Sequence, residues 1–193
     1  MHASSATQEI ALKPRARPRD ELALIRQAKR GSADAVEALV RRHWDGAQRT
    51  AFLIVHDAAA AEDIAQESLL AALERIDRFD RRRPFRPWLH RIVVNRSLDW
   101  LRARRRRPEV SVEAVAPAAA PDAGDDAAGE LMAALGALDP DERALIVLRH
   151  LHGYPSSELA RMLDVPAATV RTRLARGLHR LEAAVDGEAR EET

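Results

Sequence analysis

The sequence predicts an all-α protein of two small helical domains joined by a flexible linker. Three observations predict it. Apolar residues recur at spacings of three and four along most of the chain, the period of helices with one buried face. Aromatic residues are only 4% of a chain that is 46% hydrophobic, so its cores are expected to be Leu/Ala/Val-packed helices rather than a β-sandwich. The stretch 110–129, VSVEAVAPAAAPDAGDDAAG, is low-complexity and cannot bury enough apolar surface to offset the entropy of ordering. These features set the expected boundaries: a tail over 1–19, a domain over 20–107, an acidic linker over 108–129, a second domain over 130–185 and a tail over 186–193.

The formal net charge of +1 conceals strong segregation. Between Arg81 and Arg107 there are eleven arginines against the single acid Asp99, whereas Pro108 to Glu130 holds six acids and no Lys or Arg. A basic stripe is the electrostatic footprint of a polyanion partner. Only Lys13 and Lys29 are lysines, so part of the arginine content is a compositional bias and arrangement is the better guide. There are no cysteines, which removes disulfides, thiolate metal sites and thiol nucleophiles. No stretch has the length of a signal-peptide core or a membrane span, so a soluble, intracellular protein is expected.

In chain order, the polar, proline-interrupted residues up to Arg19 are expected to be mobile. A helix from Asp20 carries Leu22, Ile25 and Ala28 on one face and stops at Gly31. Ser32 caps a long second helix whose apolar positions Val36, Leu39, Val40, Trp44, Ala47, Ala51 and Ile54 keep period to His56, with Gly46 a weak point. Asp57 caps a third helix with a stripe of Ala61, Ile64, Leu69, Ala72, Leu73 and Ile76. Its opposite face holds Glu62, Asp63, Gln66 and Glu67. Asp63 and Glu67, four apart, project from one side, and with His56 they raise a metal or acid/base site as a reading. Nothing in the sequence completes a coordination shell, so a solvated acidic face or a dock for a basic partner is the stronger expectation.

Asp77 to Arg83 is a charged loop, and Pro84 opens a fourth helix through about Arg104 with Phe85, Trp88, Leu89, Ile92, Val93 and Leu101 on its apolar side. Aromatic residues beside arginines suit unpaired DNA, where bases stack and phosphates pair. Core packing is the competing reading for Phe85 and Trp88.

The second domain opens with Leu131, Leu135 and Leu138. Asp139-Pro140-Asp141-Glu142 then supplies a cap, a proline at the first helical position and a glutamate at the capping-box position. Leu145, Leu148 and Leu151 follow, and Gly153 ends that helix. Ser156 or Ser157 is expected to cap a short helix with Leu159, Ala160 and Leu163 on one face. Asp164-Val165-Pro166 breaks the pattern before a last helix striped by Val170, Leu174, Leu178 and Leu181. The other faces of that helix carry Thr169, Arg171, Thr172, Arg173, Arg176, His179 and Arg180. This is the shape of a helix-turn-helix, in which the second helix enters the major groove of DNA.

Three stretches then resemble one known family. AEDIAQESLLAALERIDRFD, PFRPWLHRIVVNRSLDWLRARRR and LDPDERALIVLRHLHGYPSSELARMLDVPAATVRTRLARGLHRL are similar, in this order and spacing, to the conserved regions of extracytoplasmic-function (ECF) sigma factors. The resemblance runs from about Asp20 to Val185. It implies a promoter-specificity subunit that binds RNA polymerase core, at the clamp of the largest subunit and the flap of the second. Asp63, Gln66 and Glu67 would face the clamp. Arg78, Arg81, Arg82, Arg83, Phe85, Arg86, Trp88 and Asn95 would serve the melted minus-ten element. Arg171, Thr172 and Arg176 would contact the minus-thirty-five element of promoter DNA, with Thr169 and Arg173 as phosphate or secondary contacts.

It also implies that the acidic linker threads the polymerase interior and that an anti-sigma factor controls the protein, which would place it in the cytoplasm or, through that factor, at the inner membrane face. No catalytic residue, metal, cofactor or small-molecule substrate is expected, because no nucleophile–base pair, phosphate-cradling loop or metal set is visible. Pro155 stands where the family commonly has a small hydroxyl residue, and Pro84 follows three arginines in a loop that often holds glycine. The competing readings are a stand-alone helix-turn-helix regulator and a helical enzyme built on Asp63 and Glu67.

Overall fold

The computed structural model describes residues 18–106 and 126–191, all of whose regular structure is helical. Most of the N-terminal tail and of the linker named above lie outside the described residues. Helices α1 (Pro18–Ala28), α2 (Ala33–Val55), α3 (Ala58–Glu74) and α4 (Phe85–Arg106) form the first half. The second half is α5 (Asp126–Gly136), α6 (Pro140–Ile146), α7 (Ser156–Leu163) and α8 (Ala167–Glu191), with a π-helical turn over Val147–Leu151 continuing α6. Helix α5 begins ahead of the boundary expected at 130, and α8 stays helical through Glu191, beyond the end expected near 185.

Local chemistry fixes most helix ends. The Ser32 hydroxyl accepts from Ala35 N at 3.3 Å and the Asp57 carboxylate from Ala60 N at 3.0 Å, each satisfying a first-turn donor. Gly31 has φ 84°, a left-handed conformation that only glycine adopts without strain, which lets α1 turn into α2. Two expected caps differ. Neither Ser156 nor Ser157 caps α7, whose N-cap is Pro155 with no side-chain bond. Asp139 does accept from Asp141 N at 3.0 Å, but Glu142 does not complete a capping box, because its carboxylate turns inward to α8.

In the first half, Ile25, Leu39, Ala47, Ile54, Ile64, Leu69, Leu89 and Val93 are buried between α1, α2, α3 and α4. In the second, Leu135, Leu145, Leu148, Leu159, Val170 and Leu174 are buried. The expected face of α7 shifts slightly: Met162 is buried beside Leu159, while Leu163 is only partly covered. The two cores run into one another.

Polar bonds join the halves where they meet. Arg143 of α6 is buried and donates to three carbonyls: Ile54 at 2.6 Å, Gly136 at 2.8 Å and Leu138 at 3.1 Å. These lie at or just beyond the C-terminal ends of α2 and α5, where unpaired carbonyls and helix dipoles favour a cation. Burial pulls the Arg143 pKa down from its usual value, yet a guanidinium remains charged. Nearby, Arg86 Nη2 donates to His152 Nδ1 at 2.6 Å. That leaves Nε2–H to donate to Thr50 Oγ1 at 2.7 Å, and the threonine hydroxyl donates on to Gly46 O at 2.6 Å. The chain of donors is consistent only with a neutral imidazole. Tyr154 OH completes the seam through a hydrogen bond with His90 Nδ1 at 3.0 Å.

Candidate nucleic-acid interface

Helix α8 presents its expected contacts in two groups. Val170, Leu174 and the small Gly177 face the core. By helical period, Arg173, Arg176 and Arg180 lie along the flank that meets α6, while Arg171 lies on the other flank and Thr172 points outward. Arg171 and Thr172 are exposed, with the Thr172 hydroxyl donating to Ala168 O at 3.0 Å; Thr169 is half-buried. Arg173 is half-buried, 3.5 Å from the Asp141 carboxylate. Arg176 pairs with Glu142, and Arg180 reaches the other oxygen of the same carboxylate at 3.1 Å. Arg176 reaches solvent as a guanidinium already held by a buried acid.

The loop ahead of α4 carries Arg78, Arg81, Arg82 and Arg83, all exposed. Arg83 stands 3.9 Å from Asp80, and Asp80 also accepts from Arg82 N at 3.0 Å. Lys29, one of only two lysines, reaches in from beyond α1 and donates to the carbonyls of Asp77 at 3.0 Å and Phe79 at 3.2 Å, pinning the base of this loop. Phe85 is a correction: it is 2% exposed, with ring centroids 5.1 Å from His43, 5.4 Å from Phe79 and 5.4 Å from Trp88. It packs the core and has no face free for a base. Trp88 is half-buried on the same cluster, its ring centroid 5.1 Å from that of Phe79. Asn95 is exposed two turns further along α4, on the side of Trp88 and Arg91. Arg86 is half-buried and spent on His152 across the seam between the halves.

On α3, Asp63, Gln66 and Glu67 are exposed, and Glu67 pairs with Arg96 of α4. Leu70, one turn on and 52% exposed, joins this face; sequence reading missed it because the adjacent Leu69 satisfied the buried stripe. His56 does not join these carboxylates. It caps α2 at φ 57°, with Nε2 donating to Leu53 O at 3.1 Å, and burial pushes its pKa down to about 4. Among the described residues no group of three or more His, Cys, Asp or Glu side chains is placed to hold a metal ion. No helix among them is long and apolar enough to cross a membrane.

A helix-turn-helix half joined to a half bearing an arginine loop and an acidic–apolar helix face defines a two-part DNA-binding protein. Comparison with known proteins gives the family. Residues 39–107 match Sigma-70 region 2 and residues 128–181 match Sigma-70 region 4. The chain is 34% identical over 163 residues to the ECF RNA polymerase sigma factor SigM of Mycobacterium tuberculosis, covering 84% of this chain and 83% of that protein. It is 29% identical to ECF RNA polymerase sigma factor SigW of Bacillus subtilis over 79% of this chain and 90% of that one.

Among solved structures, CnrH in complex with the cytosolic domain of CnrY matches with TM-score 0.66 and 30% identity, over 86% of this chain and 97% of that chain. The sigma factor RpoE of Bartonella quintana, solved with the anti-sigma factor NepR, shares the fold at TM-score 0.67 and 23% identity, over 78% of this chain and 96% of that chain. The chain belongs to the ECF sigma factors. It is a dissociable subunit that directs RNA polymerase core to promoters, and the stand-alone regulator falls away.

Proposed function

We propose that the halves divide promoter recognition between them: residues 20–107 hold core polymerase and the melted minus-ten element, and residues 130–185 hold the minus-thirty-five duplex. The observation that carries this is the separation of unlike surfaces. Arg171 and Thr172 project from the second helix of a helix-turn-helix, suited to groove edges and phosphates. Arg78, Arg81, Arg82 and Arg83 are exposed on the segment that leads into α4, which carries the half-buried Trp88, a combination suited to an unstacked strand. Asp63, Gln66, Glu67 and Leu70 form an exposed acidic and apolar face on α3 that fits a basic partner surface, which we assign to the polymerase clamp.

The mechanism is binding and strand separation, with binding energy from polymerase stabilising the unpaired DNA and no chemistry performed by this chain. Control by an anti-sigma factor and a cytoplasmic location are part of this reading, supported by family membership and by the complex of CnrH with the cytosolic domain of CnrY.

Run-off transcription from fragmented genomic DNA with purified core polymerase, with and without the protein, tests the reading. Discrete starts preceded by two shared sequence blocks are expected only when it is added. Absence of any start, with duplex binding by the protein alone, would overturn the division proposed. A second test addresses α3: Asp63→Arg combined with Glu67→Arg reverses two exposed charges and is expected to abolish capture by core polymerase without changing the helical circular-dichroism signal. Undiminished capture removes this face from the interface.

A further inference from the structure

We infer that Glu142 is a positioning residue for promoter recognition, a buried carboxylate that ties down Arg176 and Arg180 and leaves Arg171 and Thr172 as the side chains free to read the duplex. The inference rests on the reading of α8 as the helix that enters DNA. Glu142 is 1% exposed, yet its two partners are 55% and 52% exposed, so the carboxylate is sealed in protein while the guanidinium tips reach solvent. One oxygen accepts from Arg176 Nε and the other from Arg180 Nη1 at 3.1 Å. The two arginines are four apart, so a single turn of α8 straddles the carboxylate.

Gly177 makes the approach close enough. A Cβ there would stand 3.3 Å from Ile146 Cγ1, tighter than most side-chain contacts, and would touch the Cβ of Glu142 at 3.4 Å. Arg173 and Asp141, 3.5 Å apart, extend the same seam by one turn.

The physical consequence is asymmetry along the helix. A carboxylate this deeply buried is strongly destabilising without a cation, so an arginine that leaves it for a DNA phosphate must leave it under-compensated. Arg176 and Arg180 therefore meet DNA with their charge already offset and their geometry fixed. That restraint suppresses sequence-independent attraction, which scales with the number of free cations brought to the phosphates.

The test uses the full-length chain and two duplexes: one carrying the upstream block found by run-off mapping and one with that block scrambled. Glu142→Gln keeps the shape and removes the charge. It is expected to raise affinity for the scrambled duplex several-fold at low salt, to steepen the salt dependence by about one to two released ions, and to lower the ratio of specific to scrambled binding. A merely structural role predicts weaker binding to both duplexes and no steeper salt dependence, and that result overturns the inference.

Arg180→Gln leaves Glu142 paired with Arg176 and is expected not to change the salt slope. A slope reduced by about one ion shows Arg180 acting as a free phosphate contact and also overturns it; this arm decides if Glu142→Gln does not fold. Arg171→Ala separates the two levels. If it weakens specific binding while Glu142→Gln does nothing, only the role of Glu142 fails; if it too has no effect, the reading of α8 fails with it.

Discussion

The arginines of α8 and those of the loop before α4 are held in opposite ways. On α8, Arg173, Arg176 and Arg180 are each matched to an acid of α6. In the loop, Arg78, Arg81, Arg82 and Arg83 project, Arg83 being the one among these four with an ion pair among the described residues, to Asp80, and the loop is fixed from beneath through backbone carbonyls by Lys29. The difference suits two substrates. A duplex groove offers a fixed pattern of donors and acceptors, which a few projecting side chains such as Arg171 and Thr172 suffice to read while the neighbouring arginines stay with their acids. A melted strand has no fixed pose, and exposed cations without buried partners can follow it.

The sharpest break in that comparison is at Phe85. With the ring buried, Phe85→Ala is expected to cost about 3–5 kcal/mol of stability, read by thermal or denaturant unfolding. Trp88→Ala should lose single-strand binding for a smaller stability cost. If Phe85→Ala unfolds like the parent and loses only single-strand affinity, the aromatic cluster belongs to the DNA surface after all.

Next in size is the contrast within α8. Arg171→Ala is expected to cost about 1–3 kcal/mol at the minus-thirty-five duplex if it contacts a base edge, and Arg176→Ala less, since Glu142 already holds that charge. Equal losses in a fluorescence-anisotropy titration would place both arginines on bases.

The smallest effect concerns the seam between the halves. Thr50→Val removes one end of the relay from Arg86 through His152 and is expected to weaken docking by about 1 kcal/mol. The same relay sets a pH dependence. Burial, then the charges of Arg86 and Arg49, push the His152 pKa down to about 4, and burial with His152, Arg86 and His43 nearby holds His90 well below its usual value. The docked state therefore binds fewer protons than the separated one between the two pKa values, so docking is full above about pH 6.5 and is lost as pH falls toward about 4. Energy transfer between single labels on each half checks this; because the chain lacks cysteines, label sites can be placed at will. A flat profile across that range would show that His152 does not govern docking.

Much of the fold was legible because it is written in local chemistry. Ser32, Asp57 and Asp139 stand at helix starts, Gly31 and Gly153 at helix ends with positive φ, and the three-and-four spacing names most buried positions. Illegible were the polar residues that work across long separations. Arg143 looks like one more arginine on a basic chain, and His90, His152 and Tyr154 fit no local pattern, yet they join the halves. Glu142 was read as a capping-box glutamate because its position after Asp139 suits one; a sequence separation of 34 from Arg176 hides the actual partner.

By itself the sequence determined the helices, their order, the division into two halves and the family, because periodicity, caps and motif order are properties of neighbouring residues. Only the tertiary structure decided which charged groups are free. Arg86 and Arg176 carry the same guanidinium as Arg81 and Arg171, and nothing local distinguishes them. Whether an arginine can meet DNA depends on which acid, ring or carbonyl the fold brings against it, and desolvation makes those partners costly to abandon.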